Sequence, residues 1–181
     1  MIPDDAVERL MESALNIGAA CDKENVQQWE VYATQGYGHS LEIEAGRISM
    51  ASGGGDGGFG IRIVEDGRYG YAHLVDPSSA SRAIQQALSI AKRSPSIDGF
   101  ELPGNESASK VGGMKDKAIL DMGPEDLLEQ GDQVLTRVTE LDSRAVAVGG
   151  GIGVGAGAGA LVTSSAVSYT HLRAHETLRY L

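Results

Sequence analysis

The residues with chemical potential in this 181-residue chain are few and scattered. His171 and His175 stand four apart, with Glu176 adjacent. On a helix that spacing puts two imidazoles on one face, where they hold zinc while a carboxylate activates water. His39 and His73 fall in neighbouring strand-like segments, and no Asp or Glu is placed by sequence to complete a pair, so both read as strand-surface histidines. Glu42 and Glu44 lie on one side of a strand, too near each other to divide acid from base work. Ser78, Ser79 and Ser81 belong to a helix start, and nothing resembles a G-x-S-x-G elbow.

Gly55-Asp56-Gly57-Gly58-Phe59-Gly60 matches the G-x-G-x-x-G string of dinucleotide sites. That chemistry needs a helix after the loop, so that the pyrophosphate meets the helix N-terminus. Here Ile61-Arg62-Ile63-Val64 follows, which is strand-like, and the looser match at Gly155, Gly157 and Ala160 is also followed by β-branched residues. A nucleotide-dependent enzyme is the reading these glycines would carry, and its context is missing. The run from Gly53 to Gly58 reads instead as a flexible hairpin loop. Within residues 1–165 no motif by itself assigns a catalytic, cofactor-binding or metal-ligating residue.

The elements that would position any site are clearer. Trp29, Val31 and Ala33 share one side of a strand opening the sheet. Leu41 and Ile43 alternate with Ser40, Glu42 and Glu44; a turn at Ala45-Gly46 follows, and Ile48 and Met50 resume the alternation. Ile61 and Ile63 alternate with Arg62, and Asp66-Gly67 supplies the positive φ angles of a two-residue hairpin turn. Beyond it Tyr69 and Tyr71 alternate with Gly70 and Ala72, so one face carries rings and the other admits a close neighbour.

Helices are expected near Asp4–Ile17, Pro77–Lys92 and Pro124–Leu141. The first has Asp4 or Asp5 as cap, a stripe of Val7, Leu10, Met11, Ala14 and Leu15, and Gly18 near its end. The second has Asp76 as cap, Pro77 at the first position, and Ala80, Ala83, Ile84, Ala87, Leu88 and Ala91 at helical spacing. The third turns Leu127, Leu128, Val134, Leu135, Val138 and Leu141 inward. Residues 94–109 read as a surface connection and Val111–Met122 as a short strand. Two further strands, Ala145–Val148 and Ala160–Thr163, are expected around the glycine-rich Gly149–Gly159. The fold class is α+β: an antiparallel meander covered by helices in a two-layer sandwich.

A formal net charge of −10 and a pI near 4.8, with no basic cluster, argue against nucleic acid as a direct ligand. Cys21 is the only cysteine, which excludes an internal disulfide and a cysteine zinc cage. The N-terminal residues lack a signal-peptide pattern, and no apolar run reaches the ~20 residues of a membrane span. The expectation is a cytoplasmic chain with no membrane partner.

Ala166–Thr177 continues no pattern before it and closely resembles translated read-through of a sequencing adapter. The expectation is that residues 166–181 are a non-native tail and that the gene continues past them, so His171 and His175 are not assigned as a site.

Taken together, Ser40-Leu41-Glu42, Glu44-Ala45-Gly46-Arg47-Ile48, Gly58-Phe59-Gly60-Ile61-Arg62, Asp66-Gly67-Arg68-Tyr69-Gly70-Tyr71-Ala72 and the Asp76 helix carrying Ala87 and Ala91-Lys92 resemble the N-terminal domain of the TldD/PmbA (TldE) family. Leu102-Pro103 and the Pro124-Glu125 helix extend the likeness over about residues 5–165. The resemblance implies residues 1–143 as an α+β first domain and 144–165 as the start of a following region. It also implies a zinc peptidase system, long labelled modulator of DNA gyrase, whose paired subunits (homo- or heterodimer) cut unfolded peptides in a closed cavity. The family's H-E-x-x-x-H motif and later cysteine lie downstream of this domain. His175-Glu176 puts Tyr180 where the second histidine belongs, so no metal ligand carries over and no cofactor is expected in this chain. The chain is thus expected to be a non-catalytic portion of such a peptidase, inactive alone, or a portion of the metal-free TldE/PmbA-like partner. In either case the Glu30–Asp76 sheet offers an edge that an extended peptide can join.

Overall fold

The computed structural model describes residues 5–103, 113–114, 116–165 and 168–179, the last stretch as backbone. The chain runs α1 (Ala6–Lys23), β1 (Gln28–Glu44), β2 (Arg47–Glu65), β3 (Arg68–Leu74), a 3-10 turn at Pro77–Ser79, α2 (Ala80–Ala91), α3 (Lys117–Asp121), α4 (Pro124–Leu141), β4 (Gly149–Thr163) and β5 (Ser168–Arg179). The strands form one antiparallel sheet in the order β3-β2-β1-β4-β5. The helices described all contact that sheet, giving the expected α+β sandwich.

Both predicted turns are present. Ala45 and Gly46 have φ of +48° and +78°, Asp66 and Gly67 +50° and +68°, the pairing that a type I′ hairpin requires. The segments between them differ from expectation. Gly53–Gly58 is no loop: it continues β2 and pairs residue by residue with Thr34–His39 of β1. The short strands predicted on either side are therefore parts of two strands of 17 and 19 residues. The reason is that a ladder is made by backbone groups, which glycine supplies as well as any residue. Gly149–Gly159 repeats the lesson, being most of β4, whereas Ala145–Val148 forms no strand. Residues 168–179, which carry no recognisable pattern, lie along β4.

The strand predicted over residues 111–122 falls in part on 111, 112 and 115, which lie outside the described residues. Within the remainder, Lys117–Asp121 is the short helix α3 and not a strand. Asp116 caps it by accepting from the Ala118 N–H at 2.9 Å, a local bond that favours a helix start over an extended chain.

Two apolar clusters lie between sheet and helices. The larger joins Leu10, Ala14, Ile17 and Cys21 of α1 and Ala83, Ile84 and Ala87 of α2 to Trp29, Val31, Ala33, Phe59, Ile61 and Ile63. Helix α1 runs past its predicted end to Lys23, with Gly18 inside it. A Cβ at Gly18 would stand 2.6 Å from Trp29 Cζ3, so the helix lies directly on the indole. Its buried stripe is Ala6, Leu10, Ala14, Ile17, Gly18 and Cys21, while Leu15, predicted inward, is exposed. Trp29 Nε1 donates to Asp22 at 2.7 Å and fixes β1 to that helix. On the other side of the cluster Gly70 admits α2: a Cβ there would lie 2.7 Å from Ala91 N and closer still to Ala87 O.

The smaller cluster gathers Leu41, Ile43, Leu127, Ile152 and Val154 under α4. Leu127 and Gly131 are buried, with Val134 and Leu135 packed beside them, but Leu128 and Leu141 are exposed. A helix resting on a sheet buries only a narrow stripe, and those two residues fall outside it. Among the described residues, no helix is long and apolar enough to cross a membrane.

Candidate functional site

The two clusters leave the middle of the sheet thinly covered. In β1 the odd-numbered residues face the helices: Trp29, Val31, Ala33, Leu41 and Ile43 are buried, and Tyr37 and His39 lie between them on the same side. The rings of Tyr37 and His39 meet edge to face, with centroids 4.8 Å apart. Both border a cleft of about 180 Å³ whose far wall is Ile119–Pro124 of the α3–α4 corner.

Beside this pair runs an open strand edge. β2 pairs with β1 along its whole length, but β3 reaches only from Phe59 to Glu65. Among the described residues no strand pairs with the outer edge of Arg47–Gly58. Its free N–H and C=O groups form a row able to pair with another extended chain. A bulge shifts the register where Glu42 opposes Met50 and Ile43 opposes Ile48. Beyond it Ala51–Gly57 are all exposed, and Asp56 is their only charged residue.

His39 and His73 do not come together. His73 opposes Gly60, which opposes Tyr32 on the outer side of the sheet, whereas His39 shares the helix side with Leu41. Strand parity separates them. Glu42 and Glu44 are exposed on the outer side, as expected. Ser78 and Ser79 lie in the 3-10 turn and Ser81 in the first turn of α2. Asp76 accepts from the Ser78 N–H at 2.9 Å, which holds its carboxyl below the usual range. Neither glycine string has a helix after it: Gly55–Gly60 lies within β2 and Gly155–Ala160 within β4, so the pyrophosphate geometry is not formed.

The fit to a metal is poor. Among the described residues no group of three His, Cys, Asp or Glu stands together. His171 and His175 lie on β5, where four residues span roughly 13 Å of backbone. The helical spacing that would join their imidazoles is not formed. Cys21 is buried in α1; burial first, and then the charge of Asp22, push its thiol up to about 12.

The sheet edge was expected, but Tyr37 and the run of β2 that leaves that edge free, Arg47–Gly58, are features that sequence pattern missed. The signal was present in the glycine run, which can be strand as readily as loop where its neighbour is also strand.

Residues 29–91 match the family model described as PmbA/TldA metallopeptidase domain 1. No curated protein matches the chain. Among solved structures, TldE from Thermococcus kodakarensis is 21% identical with a TM-score of 0.76, over 92% of this chain and 36% of that one. A Thermotoga maritima protein designated a modulator of DNA gyrase is 11% identical with a TM-score of 0.79, over 92% and 38%. A Bacteroides thetaiotaomicron protein with the same designation is 18% identical with a TM-score of 0.74, over 98% and 41%. The chain thus spans about two fifths of these proteins, and at such identities the likeness is one of fold. The match over residues 29–91 and the shared fold make this chain similar to the N-terminal domain of the TldD/PmbA family.

Proposed function

We propose that this chain is the N-terminal, non-catalytic portion of a TldD/PmbA-type zinc metallopeptidase system acting on unfolded peptides in the cytoplasm. Its part is to bind extended peptide by strand addition at the edge of β2 and to contact a partner subunit. The unpaired edge from Arg47 to Gly58 carries this reading, because its free backbone groups match what an extended peptide offers. Zinc and the hydrolytic groups belong to the remainder of such a protein.

Hydrogen exchange tests the binding role. An extended Thr/Val-rich decapeptide should slow exchange of amides in residues 48–58 and leave the α1 and α2 amides unchanged. Unchanged exchange at 48–58 with a range of extended peptides would remove the proposal. The second reading is a portion of the metal-free partner subunit, favoured by the fold likeness to TldE. Downstream sequence carrying H-E-x-x-x-H selects the catalytic subunit; a longer frame without it selects the partner.

A further inference from the structure

We infer that a strand docked on β2 is read by His39 and Tyr37, which select a hydrogen-bonding side chain and an apolar side chain two residues apart. The inference rests on the strand-addition reading above and deepens it.

Along the open edge beyond the bulge, the helix-side positions are Ala51, Gly53, Gly55 and Gly57. None raises more than a methyl group between an incoming strand and the side chains of β1. His39 opposes Gly53, and its ring already lies across that glycine: a Cβ there would stand 2.9 Å from His39 Cε1 and closer still to Nδ1. Tyr37 opposes Gly55, where a Cβ would stand 3.4 Å from Tyr37 Cδ2. The imidazole edge is thus offered over Gly53 and the phenol ring beside Gly55.

A strand beside β2 turns alternate side chains to this side, and those opposite Gly53 and Gly55 stand at i and i+2, in the order that the strand's direction sets. The first meets the His39 Nδ1, for which the described residues supply no hydrogen-bond partner. Ser, Thr, Asn or Asp satisfies it, and Val or Leu leaves it unpaired. The second meets the Tyr37 ring and gains by being apolar or aromatic. A second copy of this chain pairing antiparallel, edge to edge, would bring Ile48, Ala51, Gly53, Gly55 and Gly57 to the same side, none of which carries the hydrogen-bonding side chain that His39 calls for. The occupant favoured is therefore an extended peptide with polar and apolar side chains at i and i+2.

The test uses the whole chain and fluorescent decapeptides that carry Thr and Phe at i and i+2. Replacing that Thr by Val in the peptide should weaken binding about 2- to 10-fold, the range of one hydrogen bond. The difference should vanish in His39→Leu and persist in His39→Gln, which keeps a hydrogen-bonding side chain. Replacing the Phe by Ala should weaken binding to the native chain and matter less to Tyr37→Ala. Equal affinity of the Thr and Val peptides, with amides 48–58 still protected, would overturn the reading by His39 and leave strand addition standing. No protection by any peptide would overturn strand addition itself. Protection that rises with protein concentration alone would assign the edge to a second copy and overturn both. The peptide substitutions need no protein variant, so misfolding of a variant does not obscure the answer.

Discussion

Between Trp29 and Ala33, β1 faces Phe59–Ile63 with buried side chains at every second position, under α1 and α2. Between Gln35 and His39, the same two strands face each other through Gly57, Asp56, Gly55, Gly54 and Gly53. The ladder is continuous, but what stabilises it changes. At the first end, burial of Val31, Ile61 and Ile63 contributes about 1.5–3 kcal/mol per large side chain. At the second, backbone hydrogen bonds act almost alone, and the outer edge of β2 is free. One strand thereby serves as scaffold and as docking edge: core packing holds one end, and the absence of side chains opens the other.

Substitutions at glycine separate the two ends most sharply. Gly70→Val should cost about 3 kcal/mol or more, measured by urea unfolding, because the new atoms meet the backbone of Ala87 and Ala91 rather than a movable side chain. Gly18→Ala should cost about 1–3 kcal/mol by the same measurement, since the Trp29 indole is buried and fixed by its bond to Asp22. Gly54→Thr should do the reverse. A Cβ at Gly54 meets nothing within 4 Å, so a β-branched residue there should leave stability unchanged or raise it by up to ~1 kcal/mol. A loss at Gly54 as large as that at Gly18 would erase the distinction.

Cys21 reports on the packed end with the smallest effect. Its thiol is raised from 9.0 to about 12, so the folded state holds the proton after the unfolded state has lost it. Stability from this group is intact below pH 9 and declines as pH rises towards 12. At pH 8 a thiol reagent should label Cys21 in denaturant and not in the native chain; rapid native labelling would show that the α1 face opens.

Turn chemistry, helix starts and the alternation of Trp29–Ala33, Leu41–Ile43 and Ile61–Ile63 were legible in the sequence because each depends on neighbours in the chain. Ala45-Gly46 and Asp66-Gly67 specify tight turns by their φ preferences, and Asp76-Pro77 specifies a helix start by its cap. The lengths of β1 and β2, and the strand at Gly149–Gly159, were not legible: glycine has no side chain with which to signal a face. Only the tertiary structure decided those, because a glycine run becomes strand when another strand supplies its hydrogen bonds. It also decided that His39 and His73 lie on opposite faces, and that β3 stops short of Gly58. The free edge and the two rings beside it follow from those pairings, which depend on contacts between distant parts of the chain.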